Sequence, residues 1–111
     1  AFMNNKSIRV SRKREISECL FSSNSKNIPS DDLTVRITGS AALDLAYVSC
    51  GRFDGCFHKN LSLWDIAAGA ILVKEAGGVL SNIDLKKTEK ISLIASNQNI
   101  EKEISNKISM F

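Results

Sequence analysis

Apolar positions recur along this chain with two different periods, and each change of period marks a new short element. Ser7 to Ser11 alternates, with Ile8 and Val10 on one face, as a strand does. Ser11 then stands where a helix N-cap belongs and predicts a short helix through Leu20. Phe21 to Asp32 is rich in Ser, Asn and Asp around the only proline, Pro29, and predicts a loop. Thr34 to Ile37 predicts a strand. Ser40 precedes the apolar run Ala41 to Cys50, and Gly51 follows it, which together predict a capped helix of about three turns. That helix is apolar nearly all round and is expected to lie buried between layers.

The second half repeats the logic. Gly55 to Lys59 predicts a strand that leads through a short loop to Trp64-Asp65, where a helix begins and runs to Ala76 before Gly77-Gly78 ends it. Gly69 in its interior costs about 0.8 to 1 kcal/mol relative to alanine. Another backbone packed closely against Ala67 to Ala70 would account for it. Val79 to Asn82 and Ser92 to Ala95 predict strands. Ile100, Ile104, Ile108 and Phe111 recur at helical spacing after an Asn97 cap, predicting an amphipathic surface helix. Strands alternating with helices predict a layered α/β sandwich.

With 43% hydrophobic and 24% charged residues in 111, the chain has the apolar mass for one core and not the composition of a disordered segment. No apolar run approaches the roughly 20 residues that span a bilayer, so no membrane is expected. The opening Ala1-Phe2-Met3-Asn4 lacks the charged and apolar regions of a signal peptide and starts as if cut into a strand, the mark of a fragment. Cys19, Cys50 and Cys56 are odd in number and lack paired spacing, which fits reduced thiols in a cytoplasmic setting. The net charge of +3 is mild, with basic residues gathered at Lys6, Arg9, Arg12, Lys13 and Arg14. That cluster could meet nucleic acid or an acidic partner, although no aromatic residue is interleaved to stack on bases; a solvated edge is the simpler account.

Asp65 stands out among the candidates for chemistry because it sits where a helix begins, beside a large aromatic that reads as an anchor. The helix dipole and free N–H groups favour its anionic form, and an ionised carboxylate suits magnesium, which takes one or two such ligands and fills its other positions with water and phosphate. Local pattern alone favours a plain helix cap, since Asp is among the preferred caps. Thr38-Gly39-Ser40-Ala41 is a second helix entrance, where glycine permits close approach of a ligand to the backbone, although local pattern favours plain capping by Ser40. His58, the only histidine, has no second histidine or paired cysteines to make a metal site. Asp44, inside an apolar run, reads as a carboxylate hydrogen-bonded to a neighbouring element. Cys50 and Cys56 lack an evident base partner for nucleophilic work.

Several runs together carry a resemblance. Arg36-Ile37-Thr38-Gly39-Ser40-Ala41-Ala42-Leu43-Asp44-Leu45, then Gly51-Arg52-Phe53-Asp54-Gly55, then Leu63-Trp64-Asp65-Ile66-Ala67-Ala68-Gly69 and Glu75-Ala76-Gly77-Gly78, closely resemble the C-terminal half of the inositol monophosphatase family. Ala1 to Asn4 with Ile8 to Ser11 resembles the strand pair that opens that half, and Ile94-Ala95-Ser96-Asn97 its closing strand. The resemblance implies the C-terminal α/β half of the inositol monophosphatase and fructose-1,6-bisphosphatase-like fold, spanning residues 1–111. It implies a Mg2+-dependent phosphatase that hydrolyses inositol monophosphate or a related sugar or nucleotide phosphate with a metal-activated water.

By the same resemblance Asp65 would be a metal ligand, and Gly39, Ser40 and Ala41 would lie along the substrate alcohol. His58 stands where inositol-specific members carry a glutamate that binds a substrate hydroxyl. The family's other metal carboxylates, on a glutamate and an Asp-Pro-Leu-Asp-Gly-Thr type of motif, match nothing in these residues, so the isolated chain is expected to be inactive. Segments within 20–36 and 82–92 are shorter than is usual, either as deletions or as omitted residues. A homodimer is implied. Some bacterial relatives act in RNA polymerase antitermination complexes, which leaves a non-catalytic RNA polymerase or RNA-associated protein, or a degenerate remnant, as the alternative.

Overall fold

A computed structural model describes residues 2–3, 6–24, 33–81 and 89–108 of the chain. Strands β1 (Phe2–Met3) and β2 (Lys6–Ser7) pair antiparallel, Phe2 opposite Ser7. After a single 3-10 turn at Ile16–Glu18 come β3 (Leu20–Ser23), β4 (Thr34–Arg36), α1 (Ala41–Ser49), β5 (Gly55–Leu61), α2 (Leu63–Glu75), β6 (Val79–Ser81), β7 (Ile91–Ser96) and α3 (Glu101–Lys107). The main sheet runs β4-β3-β5-β7-β6. Its β3 is parallel to both β4 and β5, whereas β7 is antiparallel to β5 and β6.

The central strands bury both faces, and their period of two divides the core, with a register shift between His58 and Leu61 that resets the alternation on β5. On β5, Cys56 and Leu61 join Leu45, Val48, Ile66 and Val73 of α1 and α2, while Phe57 joins Phe21, Ile100, Ile104 and Ile108 on the other face. On β7, Leu93 and Ala95 go with the first group and Ile94 with the second. The result is the layered α/β arrangement expected from sequence, with α1 and α2 over one face and α3 over the other. No helix among the described residues is long and apolar enough to cross a membrane.

Gly69 shows why α2 tolerates a glycine. A Cβ built there would stand 2.7 Å from Cβ of Leu45, closer than packed carbons approach, so the two helices meet at a point only glycine allows. The close neighbour is therefore a side chain of α1 and not the backbone expected.

Other expectations need correction. The helix from Ser11 to Leu20 does not form, and the expected strand from Ser7 to Ser11 is a strand only at Ser7. Lateral hydrogen bonds hold this segment open instead. Val10 N–H donates to the Ala76 carbonyl at 3.2 Å, and Asn97 Nδ2 donates to Ser11 Oγ at 3.0 Å and to the Lys13 carbonyl at 3.1 Å. Ser11 is thus occupied as an acceptor across the fold, and its neighbours' carbonyls are not free to build a helix. The loop expected from Phe21 is strand as far as Ser23, because Phe21 is fully buried between Phe57 and the α3 side. Helix α1 is only half buried, with Leu43 43% exposed. The segments read as shortened lie partly outside the described residues, as does Phe111.

Candidate metal and substrate site

The N-terminal ends of α1 and α2 open onto a cleft of about 450 Å³ above β5. Gly39, Ser40 and Ala41 line it from the α1 entrance, Asp65 from the first turn of α2, and His58 from β5. Residues chosen from three separate stretches of sequence thus meet in one cavity. Gly39 has φ +86°, a left-handed conformation that disfavours a side chain, while a Cβ there would have nothing within 4 Å. The glycine serves the turn into the helix, not close packing. Ser40 is extended and its Oγ accepts from Leu43 N–H at 3.1 Å, so the capping reading is correct for it. The remaining first-turn amides have no intrahelical acceptor and are open to an anion.

Helix α2 begins earlier than expected. Ser62 is its N-cap and Asp65 its third residue, reaching back so that Oδ2 accepts from Ser62 Oγ at 2.8 Å and from Ser62 N–H at 3.4 Å. Oδ1 has no protein partner among the described residues, and the side chain is exposed. The capping reading of Asp65 therefore holds through one oxygen, and the other is left without a partner among the described residues. Trp64 is 85% exposed and anchors nothing among the described residues, contrary to expectation.

A hard oxygen at a helix N-terminus, exposed and without a cationic partner among the described residues, fits the ligand that magnesium prefers. It is one ligand only. Among the described residues no group of three His, Cys, Asp or Glu is gathered to hold a metal.

His58 and Asp44 are fully buried and bonded to each other, Nε2 to Oδ2 at 2.8 Å. The other oxygen of Asp44 accepts from Thr38 Oγ1 at 2.5 Å, and Thr38 Oγ1 accepts in turn from Ser40 N–H at 3.3 Å. The neighbouring element that Asp44 was expected to bond is therefore β5, together with the approach to its own helix. Nδ1 of His58 has no partner among the described residues. Leaving such an atom unmet costs about 1 to 3 kcal/mol.

Asn24 also lines the cleft and was overlooked because it fell in the presumed loop. Its side-chain amide brackets Lys59, donating to the carbonyl at 2.7 Å and accepting from the N–H at 3.1 Å, so it extends β3 beside β5. The polar Ser-Ser-Asn run after Phe21 was the only available sign.

The three thiols are free and none lines the cleft. Burial, and then the charge of Asp54, pushes Cys19 up to about 11, and burial raises Cys56 as well. Neither supplies a thiolate at neutral pH. Arg9, Arg12, Lys13 and Arg14 are exposed, and Lys13 pairs with buried Asp54 at 3.2 Å. Arg9 and Arg12 line a second, smaller cleft with Gly77 and Asn97 to Asn99.

Residues 1–109 match the sequence profile of the inositol monophosphatase family, and the chain belongs to that family. It is 44% identical over 81 residues to an inositol-1-monophosphatase of Mesorhizobium japonicum, an alignment covering 71% of this chain and 30% of that protein. It is 45% identical over 84 residues to the Nus factor SuhB of Pasteurella multocida, covering 74% of this chain and 32% of the relative. The crystal structure of the extragenic suppressor protein SuhB from Bartonella henselae superposes with a TM-score of 0.85 at 34% identity, covering 97% of this chain and 49% of that one. The chain thus spans less than half the length of the relatives it matches.

Proposed function

We propose that this chain supplies the C-terminal share of a Mg2+-dependent phosphomonoesterase site for inositol monophosphate or a related sugar or nucleotide phosphate. The observation that carries this reading is the single cleft joining the Asp65 carboxylate to the amide-lined entrance of α1. Asp65 would hold the cation through Oδ1. The cation, when bound, supplies charge for the phosphate and an acidified water for attack. The amides following Gly39 and Ser40 orient the ester, and His58 borders the alcohol. The remaining carboxylates come from polypeptide beyond these residues, so the chain alone does not turn over. A homodimer and a cytoplasmic setting complete the reading, on family likeness.

The test uses a protein in which this chain is joined to the complementary half of the family domain. Asp65→Asn is expected to lower Mg2+ affinity and hydrolysis of inositol 1-phosphate at least about tenfold, since even outer-shell ligand changes reach that size. Unchanged kinetics would refute the assignment.

A second reading is favoured by one feature, the exposed Arg9, Arg12 and Arg14 beside a polar cleft, in a chain similar to a protein named as a Nus factor. It makes the chain part of an RNA polymerase or RNA-associated regulator. Replacing the three arginines by glutamine should then weaken binding to RNA or polymerase and flatten its salt dependence. Binding that is indifferent to the change would remove this reading.

A further inference from the structure

Just past the end of α2 lies a second cleft, of about 260 Å³, lined by Arg9 and Arg12, by Gly77, and by Gln98 and Asn99. Helix α2 rises about 1.5 Å per residue over its 13 residues, so this cleft lies roughly 20 Å along the helix from the one at Asp65. We propose that it is a second anion site, taking the doubly charged phosphate or diphosphate group of a small solute on Arg9 and Arg12. The proposal rests on neither reading of the main cleft.

The frame of this cleft is fixed from three stretches of chain. Val10 N–H donates to the Ala76 carbonyl at 3.2 Å, Asn97 Nδ2 to Ser11 Oγ at 3.0 Å, and Asn99 Nδ2 to the Arg12 carbonyl at 3.1 Å. A Cβ at Gly78 would stand 2.6 Å from Val73 Cγ1 and 2.9 Å from Val10 Cγ1, so the segment carrying both arginines is packed down onto α2. At Gly77, by contrast, the one described atom within 4 Å of a Cβ would be Arg9 Nη1, at 3.9 Å. That guanidinium lies over bare backbone, on an exposed side chain. Charge then decides what the frame holds. No Asp or Glu lines the cleft, and neither Arg9 nor Arg12 has an ion pair among the described residues, whereas Lys13 is drawn off to Asp54. The end of α2 carries about half a negative charge, which one arginine offsets, so the second leaves the cleft cationic. Guanidinium forks match phosphate oxygens in pairs, and the Gln98 amide adds a donor. No aromatic side chain lines the opening to stack on a nucleic-acid base. Its volume is below the roughly 300 Å³ at which sites for drug-sized ligands begin, which suits a phosphate or diphosphate group and not a whole nucleotide.

Side-chain 1H–15N spectra of the unaltered chain test this at about 0.1 M salt, where exposed charges are screened beyond about 10 Å. Diphosphate should move the Nε–H signals of Arg9 and Arg12 and the Gln98 amide along one saturating isotherm, with Arg36 and Arg52 unmoved. Saturation that leaves Arg9 and Arg12 still would place the anion elsewhere and overturn the proposal. Arg9→Gln and Arg12→Gln should each weaken the binding at least about tenfold, the scale of one charged hydrogen bond. Arg14→Gln removes the same charge from outside the cleft and should leave the affinity nearly unchanged. Equal losses in all three variants, or shifts that never saturate, would mean a diffuse ion atmosphere and no site. Gln98→Glu is an exposed, isosteric change that puts an anion into the cleft, and it decides the matter even where an arginine variant fails to fold. It should abolish binding; retained binding overturns the site. An oligoribonucleotide with hydroxyl ends offers only singly charged diesters. If it moves the two arginine signals at lower concentration than diphosphate does, the cleft reads a nucleic-acid backbone and the small-solute proposal falls.

Discussion

Asp54 and Lys13 form an ion pair in which the two partners are unequal. Asp54 is buried and its Oδ2 also accepts from Leu20 N–H at 2.7 Å, pinning the start of β3, whereas the Lys13 side chain is 47% exposed. The buried bond to backbone should dominate. Asp54→Ala is expected to cost about 1.5 to 3 kcal/mol, the range for a hydrogen bond to a charged group. Lys13→Met should cost less than about 1 kcal/mol, as exposed pairs do. Urea unfolding of both variants measures the difference, and equal costs would show that the pair, not the backbone bond, holds β3. Cys19 adds a pH effect. Its raised folded value means the neutral thiol is the form that folding favours, so its contribution is complete below pH 9.0 and lost as pH rises toward about 11. The unfolding free energy should fall across that window, and less steeply in Cys19→Ala. Asp44 and His58 show what sequence withholds at this scale. Each was visible as an oddity, but they lie 14 positions apart and only the seating of α1 on β5 makes them a pair.

At the scale of elements, the packing of α1 on α2 turns on the contact between Gly69 and Leu45. Gly69→Ala would gain helix propensity of about 0.8 to 1 kcal/mol, yet its methyl carbon would stand 2.7 Å from Leu45 Cβ and 2.8 Å from Cδ1. Overpacking of this kind costs about 1 to 3 kcal/mol, so the net change should be destabilising. Combining it with Leu45→Ala should show strong coupling in thermal unfolding, because the smaller residue relieves the clash. Additive losses would mean the helices simply move apart. The helices α1 and α2 and the strands they cover were legible because terminal glycines and apolar runs agreed, with Ser40 marking the start of α1, whereas the Ser62 cap of α2 went unread. The segment from Ser11 was not, since its state is decided by donors from Asn97 and by the acceptor of Ala76, more than sixty residues away in sequence. Local propensity loses to tertiary hydrogen bonds there. For Leu20–Ser23, burial of Phe21 outweighed the polar residues around it.

For the whole molecule, the question is whether Asp65 acts through its helix or through the space in front of it, since only one of its two oxygens is bonded to the helix start. Oδ2 holds Ser62 and thereby the start of α2; Oδ1 is unmet among the described residues. Sequence could weigh these as rivals but could not see that the helix start engages only one of the two oxygens. Ser62→Ala separates them. It removes the hydroxyl that Oδ2 accepts from and keeps the carboxylate, so stability should fall by about 1 kcal/mol, the usual cost of losing a cap. In the complete family domain, Mg2+ affinity and hydrolysis should stay near the unaltered values. Asp65→Asn keeps a side-chain oxygen that can still bond Ser62 but loses the charge that draws a cation to the α2 N-terminus. Its loss should therefore appear in Mg2+ titration and turnover far more than in unfolding. Should Ser62→Ala and Asp65→Asn depress hydrolysis equally, the carboxylate would be working only as a helix cap, and the cation would have to be held by residues of the other half.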